Sequence, residues 1–223
     1  MELKQIAAEM QPKSMAARDW VFQVIRTAIV RGVLPGDMPL RQDEISAALS
    51  VSHIPVREAF RQLEAQGLVR IHPNRGAVVT KLSRHEMENV MDTRIMLEMG
   101  ALKAAMPQMT DADLEKAEAY LERYVDEKDF NKLDEINLGL HLTLYAPSNN
   151  QMLLSLIDQM HANVDRYIHP FYSEENDAEL RSLDEHRGLV VACRNKDTGL
   201  ASAILRTHLE TTKVLLLNSP LLS

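Results

Sequence analysis

Four side chains in the C-terminal half of the sequence have the types and the spacing of a metal site. Asn137 and His141 lie four residues apart, so on a helix they share one face. His186 lies about ten residues before the turn at Asn195–Asp197, and His208 about eleven after it. In an antiparallel helix pair, at 1.5 Å per residue, both histidines would lie level with each other, roughly 15 Å from that turn. Three imidazoles and one oxygen suit Zn²⁺, Ni²⁺ or a similar ion.

This convergence has alternatives, because histidines on helices are more often surface residues or hydrogen-bonded core residues than metal ligands. His161 and His169 are two further candidates, and we expect both on helix surfaces. A metal with an open coordination position could also activate water for hydrolysis. A hydrolase needs a general base beside the metal, and nothing in the sequence indicates one. We therefore predict a protein that is not an enzyme.

A second set of candidate residues lies on a predicted helix that begins after Ser52 and ends at Gly67. Its apolar residues recur at i, i+3, i+4 and i+7, which predicts one buried face: Val56, Ala59, Phe60 and Leu63. The residues predicted on the opposite face are Ile54, Arg57, Glu58 and Arg61. Such a helix buries one side and offers hydrogen-bond donors on the other, as a recognition helix in a DNA major groove does.

Neighbouring segments complete a known supersecondary pattern around this helix. A helix from about Gln42 to Leu49 precedes it. Two β-prone runs, Leu68–Ile71 and Ala77–Thr80, follow it and are joined by a turn with a basic residue, Arg75. A helix-turn-helix followed by a hairpin is a winged helix.

The segments before the helix-turn-helix set the limits of this domain. Residues 1–13 show weak periodicity, and we predict a flexible N-terminal arm there. An apolar stripe with Ser14 as its N-cap then ends at Gly32, a typical C-terminal helix residue. Val33 to Pro39 is predicted to be a loop. The predicted winged helix-turn-helix domain is therefore residues 14–81.

After Lys81 the sequence pattern predicts only helices. Ser83 with Glu86 and Thr110 with Asp113 are capping boxes. Six helices are predicted, at about 83–106, 110–127, 130–145, 150–169, 177–194 and 198–217. The predicted fold class is mainly α, with an N-terminal winged helix-turn-helix carrying a small β-hairpin wing and a C-terminal six-helix antiparallel bundle at residues 82–223.

Composition and charge agree with these two domains. The net charge is −7, but residues 1–81 hold 11 Lys+Arg and 8 Asp+Glu, while residues 82–223 hold 14 and 24. The basic excess therefore lies where DNA binding is predicted. The single cysteine, Cys193, cannot form an internal disulfide, which favours the cytoplasm. No apolar run approaches 18 residues, so we expect no membrane span.

The N-terminal half resembles the DNA-binding domain of the GntR superfamily of bacterial transcription regulators. The matching residues are Leu34–Asp37, Val51–Ala59, Leu63–Glu64, Gly67–Val69 and Arg75–Gly76. Many members carry arginine where His53 stands, and often a polar or basic residue where Asp43 stands. The helix face and this resemblance together give the predicted DNA-binding residues: Ser52, His53, Ile54, Arg57, Glu58, Arg61, Arg75 and Gly76.

The C-terminal half resembles the FadR-type branch, whose effector-binding FCD domain is a helical bundle. Six helices rather than seven resemble the VanR-like subgroup, and Arg94–Glu98 followed by Ala101 is similar to that branch's first bundle helix. Metal-binding members carry Asp or Asn four residues before a His, then one His on each of the last two helices. The positions that match are Asn137, His141, His186 and His208, with Asn in place of the more acidic ligand.

The resemblance implies a function for the whole chain. It implies a homodimeric repressor that binds a palindromic operator in double-stranded DNA and responds to a small carboxylate effector bound with a divalent zinc or nickel ion. Arg94 either helps to hold the effector or pairs with Glu98 at i,i+4. Two alternatives are a metal-dependent enzyme with a DNA-binding appendage and a regulator whose helical domain only dimerises.

Overall fold

The computed structural model describes residues 2–10, 15–72, 76–127, 129–168, 177–219 and 221–222. The chain divides into two compact units, Met1–Leu82 and Ser83–Ser223. Among the described residues, the first unit contains helices and a three-stranded sheet, and the second contains helices without strands. The predicted fold class is confirmed.

The first unit, which we call the DNA-binding unit, is a winged helix-turn-helix. Its elements are α1 (Glu2–Glu9), α2 (Ala17–Val30), β1 (Pro39–Leu40), α3 (Gln42–Leu49), α4 (His53–Ala65), β2 (Val69–His72) and β3 (Gly76–Val79). The helices pack around an apolar centre, whose largest members include Ile25, Ile29, Phe60 and Leu63. This packing fixes one side of α4 and leaves the other side at the surface.

The sheet of this unit has the order β1-β3-β2, and both neighbouring pairs are antiparallel. Gly76, at the start of β3, has a φ of +87°. A Cβ at this position would lie 2.3 Å from the carbonyl oxygen of Leu40, so glycine is required for β1 to approach the wing. β1 begins at Pro39, inside the predicted loop. A strand of two residues is too short to show an alternating pattern, so the sequence did not predict it.

Residues 2–10, the described part of the N-terminal segment, differ from the flexible arm predicted at residues 1–13. Glu2–Glu9 form α1, in which Ile6 and Ala7 are buried. Such a short helix shows too few apolar residues for a period to be visible, and α2 and α3 supply the surface that covers it. The predicted N-cap Ser14 lies outside the described residues, and Ala16 occupies the N-cap position of α2.

The second unit, which we call the helical unit, contains six α-helices among its described residues. They are α5 (Arg84–Ala105), α6 (Asp111–Asp126), α7 (Phe130–Tyr145), α8 (Gln151–Val164), α9 (Asp177–Arg194) and α10 (Thr198–Leu217). α5 packs on α8 and α10, α6 packs on α7 and α9, and α9 packs on α10. Both predicted capping boxes form, at Ser83 with Glu86 and at Thr110 with Asp113. Three helices of this unit, α7, α9 and α10, carry the predicted metal ligands.

The end of α8 differs from the prediction. We expect this helix to continue to about His169, but it ends at Val164 and a 3-10 turn follows at Asp165–Tyr167. Every residue from His161 to Ile168 is buried. A segment buried on all sides no longer presents the single apolar stripe from which helix length is judged.

Candidate metal centre and nucleic-acid interface

α4 has one buried face and one exposed face, as its periodicity predicts. The residues of the buried face are at most 1% exposed: Val56, Ala59, Phe60 and Leu63. The residues of the exposed face are Ile54, Arg57, Glu58 and Arg61. Two guanidinium groups on an exposed helix face are suited to donate hydrogen bonds to guanine edges or phosphates.

The remaining predicted DNA-binding residues lie around this face. Ser52 occupies the N-cap position of α4, and its hydroxyl makes no capping hydrogen bond. Nδ1 of His53 lies 3.4 Å from Oδ1 of Asp43. The two positions at which this sequence departs from the usual pattern are therefore in contact. Gly76 begins β3, and Arg75 lies outside the described residues.

One basic residue of this surface, Arg41, is not among the predicted DNA-binding residues. A concave region between α3, α4 and the sheet is lined by residues that include Arg41, Arg57, Arg61 and His72. Arg41 occupies the N-cap position of α3, and its exposed guanidinium lies 3.5 Å from the carboxylate of Glu44. The signal in the sequence that could have identified Arg41 is a basic residue directly before the predicted helix at Gln42 to Leu49.

The helical unit brings the three predicted histidine ligands together. Nitrogen atoms of His141, His186 and His208 all lie within 4.8 Å of one another, and the three side chains are buried. Nε2 of His141 is 3.2 Å from Nε2 of His186. Two nitrogens held at ~2.0–2.1 Å by one tetrahedral zinc ion lie roughly 3.3 Å apart. This histidine pair therefore has the spacing that a shared ion requires.

Asn137, the fourth predicted ligand, lies one helical turn before His141 on α7. Its Oδ1 atom is buried and has no hydrogen-bond partner among the described residues. Asn137 and His208 both line a cavity of about 50 Å³. A buried amide oxygen without a donor is costly, and a cation in this cavity would offset that cost.

The surroundings of the histidines favour their neutral, ligating form. Nδ1 of His208 is 2.8 Å from a carboxylate oxygen of Glu185, so this nitrogen carries the proton and Nε2 keeps its lone pair. Burial lowers the pKa of His141 and of His186 well below 6.5. Neutral imidazole at pH 7 is the form that binds divalent metals.

A buried polar cluster that sequence analysis missed lies beside His141. Oε1 of Glu98 accepts a hydrogen bond from Nε of Arg94 and is 3.2 Å from Nε2 of His161. Oε2 of Glu98 accepts a hydrogen bond of 2.7 Å from the Tyr145 hydroxyl and is 3.4 Å from Nδ1 of His141. Although burial acts in the opposite direction, the attraction of Arg94 and His161 holds the pKa of Glu98 well below its usual range.

His161 corrects our expectation of a surface histidine. Its ring is fully buried on α8, and its Nδ1 lies 3.7 Å from Oδ1 of Asp165. Burial acts to lower its pKa, but Glu98 and Asp165 raise the pKa above its ordinary value. His169 lies outside the described residues. The spacing of α5 and α8 along the chain gave no sign that these helices pack together, so this contact could not be predicted.

Arg94 forms the i,i+4 pair with Glu98, which is one of the two roles that its position suggested. Its Nε donates to Glu98, and both side chains are buried. Its Nη1 atom is also buried and has no hydrogen-bond partner among the described residues. Arg94 lines the same cavity as Asn137 and His208. Nε of the guanidinium is therefore bonded to Glu98, and Nη1 is suited to donate a hydrogen bond to an anion.

Comparisons with known proteins cover both units. Residues 17–79 match the family model described as "Bacterial regulatory proteins, gntR family", and residues 89–211 match the FCD domain model. The chain is 25% identical over 193 residues to the HTH-type transcriptional repressor RspR of Escherichia coli K12, covering 85% of this chain and 84% of RspR.

Solved structures show the same fold. E. coli McbR/YncC aligns with a TM-score of 0.81 at 22% identity, over 91% of this chain and 97% of that chain. A GntR-family transcriptional regulator from Pseudomonas syringae pv. tomato DC3000 aligns with a TM-score of 0.53 at 30% identity, over 96% and 92%. Within the described part of the chain, no helix is both long and apolar enough to cross a membrane.

Proposed function

The chain belongs to the GntR family of bacterial transcription regulators and carries an FCD domain, and from this premise we propose that it acts as a homodimeric repressor of a palindromic operator. It is a DNA-binding transcriptional regulator and not an enzyme, since its relatives are regulators. The repressor role is supported by RspR, which is itself named a repressor. Such a protein acts on chromosomal DNA in the cytoplasm.

The proposed DNA contacts come from the exposed face of α4. Arg57 and Arg61 read or position the operator from the major groove, flanked by Ser52, His53, Ile54 and Glu58. Gly76 begins β3, and Arg75, the residue before it in the sequence, is proposed to contact the phosphate backbone. A two-fold dimer places two such helices on half-sites related by the same symmetry.

In the helical unit we propose one divalent transition metal, zinc or nickel, per subunit. The observation that carries this proposal is the approach of three buried imidazoles, with two Nε2 atoms 3.2 Å apart. His141, His186 and His208 would supply nitrogen ligands, and Asn137 an oxygen. The bound ion would supply a positive centre with open positions for a carboxylate.

The proposed effector is a small organic acid that contacts both the metal and Arg94. The cavity between Asn137, His208 and Arg94 has a volume of about 50 Å³, enough for one or two waters at roughly 30 Å³ each. An organic acid is larger than this space, and we propose that its binding shifts the helices that line the cavity. The ligand would then have different affinities for two packings of the bundle, which is the condition for a switch.

Metal analysis tests this proposal directly. Protein purified without chelator or affinity tag should contain near one equivalent of zinc or nickel, and His141→Ala and His186→Ala should contain none. His85→Ala is the matched control, because His85 is an exposed histidine on α5. Wild-type protein that neither contains nor takes up metal would support the alternative in which the helical unit only dimerises.

A separate experiment tests dimerisation through the helical unit. A fragment of residues 82–223 contains all six helices of the helical unit, with their own core. We expect it to fold alone and to sediment as a dimer at micromolar concentration. A strictly monomeric fragment would refute dimerisation through this unit.

A further inference from the structure

The metal proposal leaves the buried carboxylate of Glu98 without a role. We propose that Glu98, acting through the hydroxyl of Tyr145, is an outer-sphere partner of the metal centre that holds His141 with its proton on Nδ1 and its Nε2 lone pair toward the ion. Glu98 and Tyr145 are thus positioning residues. The inference rests on the proposed metal site and names the residues that orient one of its ligands.

The direction of the hydrogen bonds follows from the charge of Arg94. A guanidinium remains protonated in proteins, and the carboxylate that pairs with it inside the bundle is its counter-ion. Both side chains are at most 1% exposed. Glu98 is therefore ionised and can only accept hydrogen bonds.

Tyr145 must consequently donate its proton to Glu98, across a distance of 2.7 Å. The phenolic oxygen keeps acceptor capacity, and Nδ1 of His141 lies 3.0 Å from it. Because the hydroxyl proton is already engaged, the hydrogen of this second bond must come from the imidazole. The chain of donors fixes the tautomer of His141.

With the proton on Nδ1, Nε2 of His141 carries a lone pair, and it lies 3.2 Å from Nε2 of His186. His208 is oriented in the same way by Glu185 on its Nδ1. Two of the three imidazoles thus have an anionic group behind them, one through a hydroxyl and one directly. A hydrogen-bonded carboxylate makes an imidazole a better metal ligand.

This arrangement also explains how the site tolerates a neutral amide at Asn137. Three histidines and one asparagine supply no negative charge to a buried divalent ion. Glu185 accepts directly from His208 and supplies one negative charge, whereas Glu98, whose charge is shared with Arg94, lies one hydroxyl further from His141. The outer sphere thus carries negative charge that an acidic ligand at position 137 would otherwise supply.

Tyr145→Phe in the full-length protein tests the inference, because it removes only the hydroxyl. Zinc affinity, measured by chelator competition, should fall about 10- to 100-fold. Tyr120→Phe is the control, since Tyr120 lies on α6 and packs against Gly139. Cobalt-substituted wild type and Tyr145→Phe should show the same visible absorption bands, because the inner ligands are unchanged.

Two further measurements separate the outcomes. In metal-free protein, long-range ¹H–¹⁵N correlation spectra should place the proton of His141 on Nδ1, and Tyr145→Phe should populate the other tautomer. Glu98→Gln should weaken zinc binding further, since an amide can donate to Tyr145 and reverse the chain.

The metal site and the outer-sphere role of Tyr145 can be refuted separately. If wild-type protein binds no zinc, the proposed metal site is wrong. If wild-type protein binds zinc but Tyr145→Phe binds it within about twofold and keeps the same His141 tautomer, the site stands and this inference is overturned. Altered cobalt bands in Tyr145→Phe would show loss of an inner ligand and would also overturn it.

Discussion

The two units place their proposed functional residues in opposite ways. In the DNA-binding unit, Arg57 and Arg61 lie on the exposed face of one helix. In the helical unit, His141, His186 and His208 come from three helices and are buried. The first arrangement needs only that the opposite face of α4 is packed. The second exists only when several helices are packed correctly, so a ligand bound there depends on the packing of the bundle.

The same difference appears in electrostatics. The exposed charges of α4 lie in water, where ion pairs contribute little. In the helical unit, Arg94 and Glu98 are removed from water together, and each depends on the other. A charge change on the exposed face of α4 should therefore alter DNA binding without altering protein stability. A charge change at the buried pair of Arg94 and Glu98 should alter both.

The largest expected effect is that of Arg94→Met. It leaves Glu98 without its guanidinium partner and should lower the free energy of unfolding of the helical unit by ~3–5 kcal/mol. The measurement is urea unfolding followed by circular dichroism, with fluorescence of the single tryptophan, Trp20 on α2, as a separate probe of the DNA-binding unit. Arg57→Ala is the control and should change neither transition by more than ~0.5 kcal/mol. If Arg94→Met lowers the free energy of unfolding by less than ~1 kcal/mol, the two buried charges do not depend on each other as we expect.

The next effect concerns DNA. Arg57→Ala should weaken operator binding by ~1–3 kcal/mol and relax discrimination at one base pair, because a side chain that contacts a base edge is lost. Fluorescence anisotropy with operator and scrambled DNA would measure both quantities. Arg206→Ala, an exposed arginine of α10 paired with Glu210, is the control. A folded Arg57→Ala/Arg61→Ala double variant that binds operator normally would exclude α4 as the recognition helix.

The same contrast explains what the sequence could predict. The period of α4 identified its two faces, and the equal distances of His186 and His208 from their turn placed them level. Both inferences use spacing within one helix or one hairpin. The contacts of Glu98 with Tyr145 and His161 join α5 to α7 and α8, and no local spacing encodes which helices pack together. α1 was not predicted for a related reason, because this short helix depends on its packing against α2 and α3.

The pH dependence of stability is the third test. In metal-free protein, the pKa of His141 and His186 is lowered by burial, so the unfolded chain binds protons that the folded chain does not. Below pH ~6.5 stability should therefore fall, by up to ~1.4 kcal/mol per pH unit for each histidine. His161, whose pKa is raised, has the opposite sign, but its effect lies above pH ~6.5, because below that pH it is protonated in both the folded and the unfolded chain. The slope below pH ~6.5 is therefore that of the two neutral histidines.

Unfolding of metal-free protein between pH 7.5 and 5.5 measures this slope. The range stays above the usual pKa of carboxyl groups, whose titration would add to the loss at lower pH. His186→Gln should reduce the slope, since it removes one of the two neutral imidazoles. A stability that is flat or rising toward pH 5.5 would show that these histidines accept protons in the folded state.

The smallest expected effect is at the contact between Asp43 and His53, where the exposed fractions of the side chains are 88% and 60%. Asp43→Asn should leave stability unchanged, because an exposed pair contributes little. It should tighten binding to operator and scrambled DNA alike, by less than about tenfold, since a negative charge is removed from a surface that approaches phosphates. Asp184→Asn, an exposed aspartate on α9, is the control. If Asp43→Asn instead weakens binding to operator alone, then Asp43 orients His53 for a base contact, and this exposed surface depends on neighbouring groups as the buried centre does.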